Sequence, residues 1–326
     1  MTLNRQSLQG LTLVELLVVL SILAVLSTVA IRSVSDQAIE TRYDANLDQL
    51  EAIKEAIIGD GEDFNGFVGD VGSIPRTDSD LYLDKLTKGE NCAPYGFQTP
   101  AGDSEIQIAC GWRGPYLDLG FNQLPLTDGF GHTYTLLKFN GNPVDTASEL
   151  IGTIATLGLS NTVDGTDLFE QDAAIVFQDN SAENVNTTVK WFQDIRVEVS
   201  RSGENTFNIG DILVIRIYGP GVNSNTNIAG IAKTVAQNVF TFDASTQTHD
   251  FTFKAVDGST ISYGPKIIRA YLYNSGTTLD ESDIGFEDNL VEETEQGQLN
   301  KKANLKSQII NRTIGQFSDT LVKFEL

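Results

Sequence analysis

Glu15 is the one ionisable side chain in the run "LTLVELLVVLSILAVLSTVAI" from Leu11 to Ile31. An acid left without compensation at the centre of a bilayer costs about 2.5–3.5 kcal/mol on insertion scales. Something must therefore offset this carboxylate or require it. If a peptidase cuts after Gly10, the new α-amine of Leu11 lies one helical turn from Glu15. The two can then pair within one chain or between neighbours, which would set the register of one helix against the next. Two plainer readings of the same segment are a secretory signal cleaved after Ala30 in "STVA" and a single-pass anchor.

Other residues with chemical potential are sparse. Cys92 and Cys110 fit no Cys-x-x-Cys redox or zinc spacing. If this part of the chain is exported, one loop-closing disulfide is expected, worth ~3 kcal/mol; if it stays in the cytoplasm, both are buried thiols. His132 and His249 have no Cys/His partners at metal spacing, and both read as surface or turn residues. No nucleophile elbow and no glycine-rich phosphate loop after a strand can be found, so enzymatic activity is not expected. The net charge of −22, from 22 basic against 44 acidic residues, argues against a phosphate-backbone partner. It fits a soluble surface outside the cytoplasm, with acid-rich loops able to hold a hard cation such as calcium.

The elements that must position these groups are legible in outline. No proline or glycine interrupts Leu11 to Ile58. After Arg32 the apolar positions Ala38, Ala45, Leu47, Leu50, Ile53, Ile57 and Ile58 recur at three- and four-residue steps. One continuous helix is predicted, ~70 Å long at 1.5 Å per residue, with an apolar first half and an amphipathic second half. Gly66 to Pro75 reads as loop and the following residues as helix. Short alternating runs then follow among Gly, Pro, Asp and Asn, as in a small antiparallel sheet. Further on, "IRVEVS", "DILVIRIYG", "NVFTFDA", "HDFTFKAV" and "KIIRAYLY" alternate at period two, which predicts a β-sandwich. Leu305, Ile309, Ile310 and Phe317 fit a helix face, and "TLVKFEL" a closing strand.

With these residues in view, "GLTLVELLVVLSILAVL" resembles the class III signal of type IV pilins and type II secretion pseudopilins. The resemblance implies that Gly10 is recognised by prepilin peptidase, that Leu11 becomes the N-methylated first residue, and that Glu15 is the assembly glutamate. Two departures stand out: the family usually begins with phenylalanine where this chain has Leu11, and often carries proline where it has Arg32. Further along, "RGPYL…LPLTDGFGHTYTL" is similar to the pseudopilin run Gly-Pro-Tyr-Leu followed by Asp-Pro-Trp-Gly-Asn-Pro-Tyr. Asp128, Gly131 and Tyr134 match, while Gly129, Phe130, His132 and Thr133 replace the usual residues. "IATLGLSNTVDGTDLFEQDAAIVF" resembles the stretch that binds calcium in major pseudopilins. On that resemblance Asp164, Asp167 and Asp172 would supply oxygen ligands, Gly165 the bend, and Asn161 with a carbonyl near Leu157 the rest. The alternative is a solvated hairpin loop; the spacing is not that of an EF-hand.

The expected architecture is α+β: a long N-terminal transmembrane and amphipathic helix packed on a small antiparallel sheet, followed by a β-sandwich-like C-terminal domain. Residues 1–10 form the leader, 11–60 the helix with its transmembrane half at 11–31, 61–175 a pseudopilin-like core and 176–326 an extra β-rich domain. The expected role is a structural filament subunit in a type IV pilus-like or type II secretion system. It would be held by one span in the inner membrane, with its globular part in the periplasm or outside the cell. The implied partners are prepilin peptidase, other pilin subunits, the inner-membrane assembly platform and membrane lipid before assembly. A minor or tip pilin with an adhesive β domain is the nearest alternative. A secreted β-sandwich binding protein with an ordinary signal peptide is the alternative from another class.

Overall fold

The computed structural model describes residues 13–59, 66–76, 89, 91–101, 103–117, 126–145, 150–161, 172–177, 189–201, 206–223, 226–253, 261–273, 306–314 and 321–326. Among the described residues a long helix, α1 (Leu13–Ile58), is followed by a short helix α2 (Gly66–Val71) and twelve strands. These are β1 (Gly96–Gln98), β2 (Ile108–Cys110), β3 (Thr135–Leu137), β4 (Thr153–Leu157), β5 (Asp172–Val176), β6 (Ile195–Ser200), β7 (Ile212–Val222), β8 (Ala229–Thr241), β9 (Thr248–Phe253), β10 (Gly264–Tyr273), β11 (Lys306–Ile314) and β12 (Leu321–Glu325). The molecule is α+β, with a long apolar helix ahead of a mostly β region built from small sheets.

The last turns of α1 enter the body with Leu50, Ile53, Ile57 and Ile58 buried. Each such side chain contributes about 1.5–3 kcal/mol by leaving water. They lie over the antiparallel sheet β3–β4–β5, meeting Ile154 of β4 and Ile175 of β5 in one apolar cluster. The sequence reading of the amphipathic half needs correction at its outer end, where Ala38, Ala45 and Leu47 are exposed. The buried stripe is instead Asn46, Leu50, Ile53 and Ile57, at helical steps of four, three and four.

The later strands form a four-stranded sheet ordered β11–β10–β7–β8 and a three-stranded sheet ordered β12–β6–β9. Alternation sorts their side chains. Leu213, Ile215 and Ile217 of β7, with Ile268, Ala270 and Leu272 of β10, share one cluster with Val197, Val199, Phe251, Phe253, Val322 and Phe324 of the other sheet. Phe240 of β8 meets Phe251 of β9 edge to face across the join. The same cluster includes the α1 and β4–β5 residues, so packing runs across residue 176 without a break.

Two local expectations are overturned. Gly66 to Val71 is helical rather than loop, because Phe67, Val68 and Val71 are all buried and the turn packs them together. Lys306 to Ile314 is a strand rather than a helix: it pairs antiparallel with β10 from Leu272↔Lys306 to Gly264↔Ile314. Its residues Ile309, Ile310, Thr313 and Ile314 are β-branched and suit an extended chain.

The opposite face of β7 and β10 is covered by the segment around β1 and β2, held by a buried charge cluster. Arg269 Nη1 donates to both oxygens of Asp103 at 2.7 and 2.6 Å, and Nη2 to Glu105 Oε2 at 2.6 Å. Tyr271 and Tyr218 also donate their hydroxyls to Asp103 Oδ2, at 2.6 and 3.1 Å. Burial pushes the Asp103 carboxyl up, but the hydrogen bonds from Tyr271 and Arg269 and the Arg269 charge outweigh it and hold it below the usual range. Removing Arg269 leaves the Asp103 charge buried without its counter-ion, held by the two tyrosine hydroxyls. Arg269→Ala is therefore expected to lower stability by about 3–5 kcal/mol, read as a reduced midpoint in urea unfolding.

Candidate membrane helix and its clamp to the body

The first half of α1 presents its apolar side chains outward along its whole length. Leu13, Leu17, Leu20, Leu23, Leu26 and Ile31 are among the large hydrophobic residues left exposed. A helix of this length and composition is able to cross a membrane. Its hydroxyls are satisfied internally: Ser21 Oγ donates to the Val18 carbonyl at 2.8 Å, and Thr28 Oγ1 to the Ala24 carbonyl at 2.9 Å. In hydrocarbon such bonds spare each hydroxyl an open donor. Glu15 lies in the first turn, where the helix dipole favours a negative charge.

Where α1 meets the body, a polar clamp replaces apolar packing. Asn46 is fully buried; its Oδ1 accepts the backbone N–H of Gly129, and its Nδ2 donates to Thr156 Oγ1 at 3.5 Å. Thr156 in turn donates to Asp128 Oδ2 at 2.6 Å. Asp128 Oδ1 closes its own turn, accepting the backbone N–H groups of Phe130 and His132 at 3.0 and 2.8 Å. His132 Nδ1 then donates to the Gly158 carbonyl at 3.1 Å, tying the turn to the end of β4. The glycines of "DGFGH" are required by this geometry. A Cβ on Gly129 would come within 2.7 Å of the Arg42 carbonyl, and Gly131 has φ +89°. Tyr134 packs beside the turn with its hydroxyl buried, and burial together with the Asp128 charge pushes its pKa up.

The structure distributes the residues singled out from sequence as follows. Gly10, Leu11, Asp164 and Asp167 lie outside the described residues. Asn161, with φ +53°, and Asp172, paired with Leu157 in the β4–β5 register, flank the acidic loop. Among the described residues no group of three or more His, Cys, Asp or Glu could hold a metal ion. Cys92 and Cys110 are not bonded to each other in this structure. Cys110 instead packs with Ile106, Ile108 and Tyr218, and Cys92 against the main apolar cluster. His249 lies on β9, stacked on Phe240 with centroids 3.8 Å apart. Asn46 and Thr156 escaped the sequence reading. The available signal was the helical spacing, which puts Asn46 in line with Leu50, Ile53 and Ile57.

Comparison with known families finds a match at the N-terminal end of the chain. Residues 6–31 carry the prokaryotic N-terminal methylation motif, the prepilin signal of type IV pilins and pseudopilins. No curated protein and no solved structure matched the chain. The motif and the exposed apolar helix together support a type IV pilin-like protein anchored in a membrane.

Truncating Asn46 leaves the Gly129 N–H and Thr156 without their shared partner. Asn46→Ala should cost about 1–3 kcal/mol through buried polar groups left unmade. Faster amide exchange at Gly129 than in the parent, with α1 still helical by circular dichroism, would mark the loss as local to the clamp.

Proposed function

We propose that this chain is a structural subunit of a type IV pilus-like or type II secretion pseudopilus filament, processed by prepilin peptidase between Gly10 and Leu11. The observation that carries this reading is an apolar helix exposed on all sides, bearing the methylation motif and a first-turn acid. The role is mechanical rather than catalytic. The peptidase exposes the Leu11 amine, which is then N-methylated. The subunit waits in the inner membrane with its body on the periplasmic side, until an assembly platform and its ATPase draw it out. Moving the apolar helix from lipid into a bundle of like helices exchanges one apolar environment for another, so little burial is lost. Pairing of Glu15 with a Leu11 amine fixes the axial position of each helix.

A minor or tip subunit is the second reading. It is favoured by the extent of the β6–β12 region, which would crowd a thin filament if present on every subunit. We also propose that the loop between Asn161 and Asp172 binds calcium, with Asp164 and Asp167 as further ligands. The support is the carboxylate spacing and the β4–β5 hairpin that brings the two ends of the loop together.

Sequencing the mature N-terminus tests the assignment directly. A chain beginning at methylated Leu11 is expected, whereas one beginning at Ile31 would make it a secreted protein with an ordinary signal peptide. In the processed protein, Glu15→Ala should leave the body folded and membrane-inserted yet sharply reduce incorporation into filaments; filaments at normal yield would remove the acid from the mechanism. For the loop, calcium should raise the melting temperature and a chelator lower it, while Asp167→Asn should blunt the response. An unchanged melt leaves a solvated hairpin.

A further inference from the structure

Lys266 is the least expected buried residue of the body. It lies near the start of β10 with 1% of its surface exposed. Among the described residues its Nζ donates to neutral oxygens: the Tyr263 carbonyl at 3.2 Å, the Pro265 carbonyl at 3.4 Å and Ser262 Oγ at 3.5 Å. No ion pair to Lys266 occurs among the described residues. Its stem lies on Gly219 of β7, where an added Cβ would come within 2.6 Å of Lys266 Cδ. Two close contacts with the α2 segment flank this point. A Cβ on Gly264 would lie 2.2 Å from the Gly69 carbonyl oxygen, and one on Gly72 2.0 Å from that of Pro220. Backbone lies against backbone at both places, and Lys266 between them is closed off from water.

We infer that α2 is a pH-sensitive latch on the β7–β10 sheet, released when Lys266 takes up a proton. A charge at this position needs water, and water reaches it when α2 parts from the strands. Burial pushes the Lys266 ammonium down to about 7 from its ordinary 10.5, partly opposed by Cys110. The opened state therefore binds more protons than the closed one between these two values. The contribution of Lys266 to closure is full above 10.5, weakens as pH falls from 10.5 to about 7, and stays level below that.

The surrounding groups leave the window from pH 9 to pH 7 to Lys266. On β2, Cys110 is raised to about 11 by burial, with Lys266 lowering it and Asp70 raising it. On α2, Asp70 is raised by burial against the Arg113 charge and a hydrogen bond from Tyr116, and it pairs with Arg113 at 3.0 Å. Tyr263 is raised to about 12 by burial. On β7, Tyr218 is raised, with burial as the main cause. Lys233 of β8 donates to the Val222 carbonyl at 3.4 Å, and Arg312 of β11 is the register partner of Lys266. Release would reach α1 as well, because Gly66 packs its backbone against Ile57 and Gly59 at the helix end.

Amide exchange of the full chain in detergent micelles tests the latch, with rates referred to the intrinsic rate at each pH. The reporters are Gly72 N–H, bonded to the Val68 carbonyl, and Gly111 N–H, bonded to the Asp70 carbonyl, both at 2.8 Å. From pH 9 to pH 7 their protection should fall about tenfold or more, while the amides of β6 and β9 hold. Lys266→Met should abolish the fall. Level protection in the parent, an equal fall across all strands, or an unchanged fall in Lys266→Met each overturns the latch. Should the variant not fold, the parent profile decides alone.

Discussion

One buried asparagine on a helix joins the two halves of this molecule. A rod as long as α1, packed to the body along only its last turns, transmits any force on its outer end to that contact. Apolar packing by Leu50, Ile53 and Ile57 resists separation but is indifferent to small sliding and rotation. Directional bonds are not. The route from Asn46 through Thr156 and Asp128 to the turn at Gly129–His132, and from His132 to Gly158, fixes the azimuth and height of the helix on the sheet. The turn is rigid because Asp128 accepts two backbone donors within it, and it sits close because residue 129 has no side chain.

Much of this was open to reading from residue order, and the part that was not has a physical pattern. The apolar run around Glu15 and the period-two strands β6, β7, β9 and β10 were visible because burial on one side leaves a periodic trace. The strand at Lys306–Ile314 was read as a helix because Leu305, Ile309 and Ile310 also satisfy a helical spacing; only the long pairing with β10 decides between the two. Ala38, Ala45 and Leu47 were placed on a buried face from polarity alone, whereas the body reaches only as far out as Asn46. A polar residue buried by its hydrogen bonds has no hydrophobic signature, which is why the clamp was missed although Asp128 and Gly131 had been picked out. The acidic loop and the cleavage site lie outside the described residues, so the structure adds to them only the flanking positions Asn161 and Asp172.

The body reads in sequence as two successive units, yet its interior is continuous. Segments near Asp103 and Asp70 close against the later strands through Arg269, Tyr218, Tyr271 and the contacts of α2. The charged cluster and the apolar cluster divide the work: the first specifies where the earlier segment lies, and the second supplies most of the burial. Load entering through α1 is therefore met by the whole β region.

The parallel pairing of β12 with β6 has a consequence for biogenesis. Val197 and Val199 are flanked by Phe251 and His249 on one side, and by Val322 and Phe324 on the other. Those neighbours are separated from β6 by roughly fifty and more than a hundred residues of chain. Contacts so distant form late, and until residue 325 emerges one margin of β6 is an open template for any extended peptide. In a nascent chain of this design that margin of β6 therefore stays open until β12 docks.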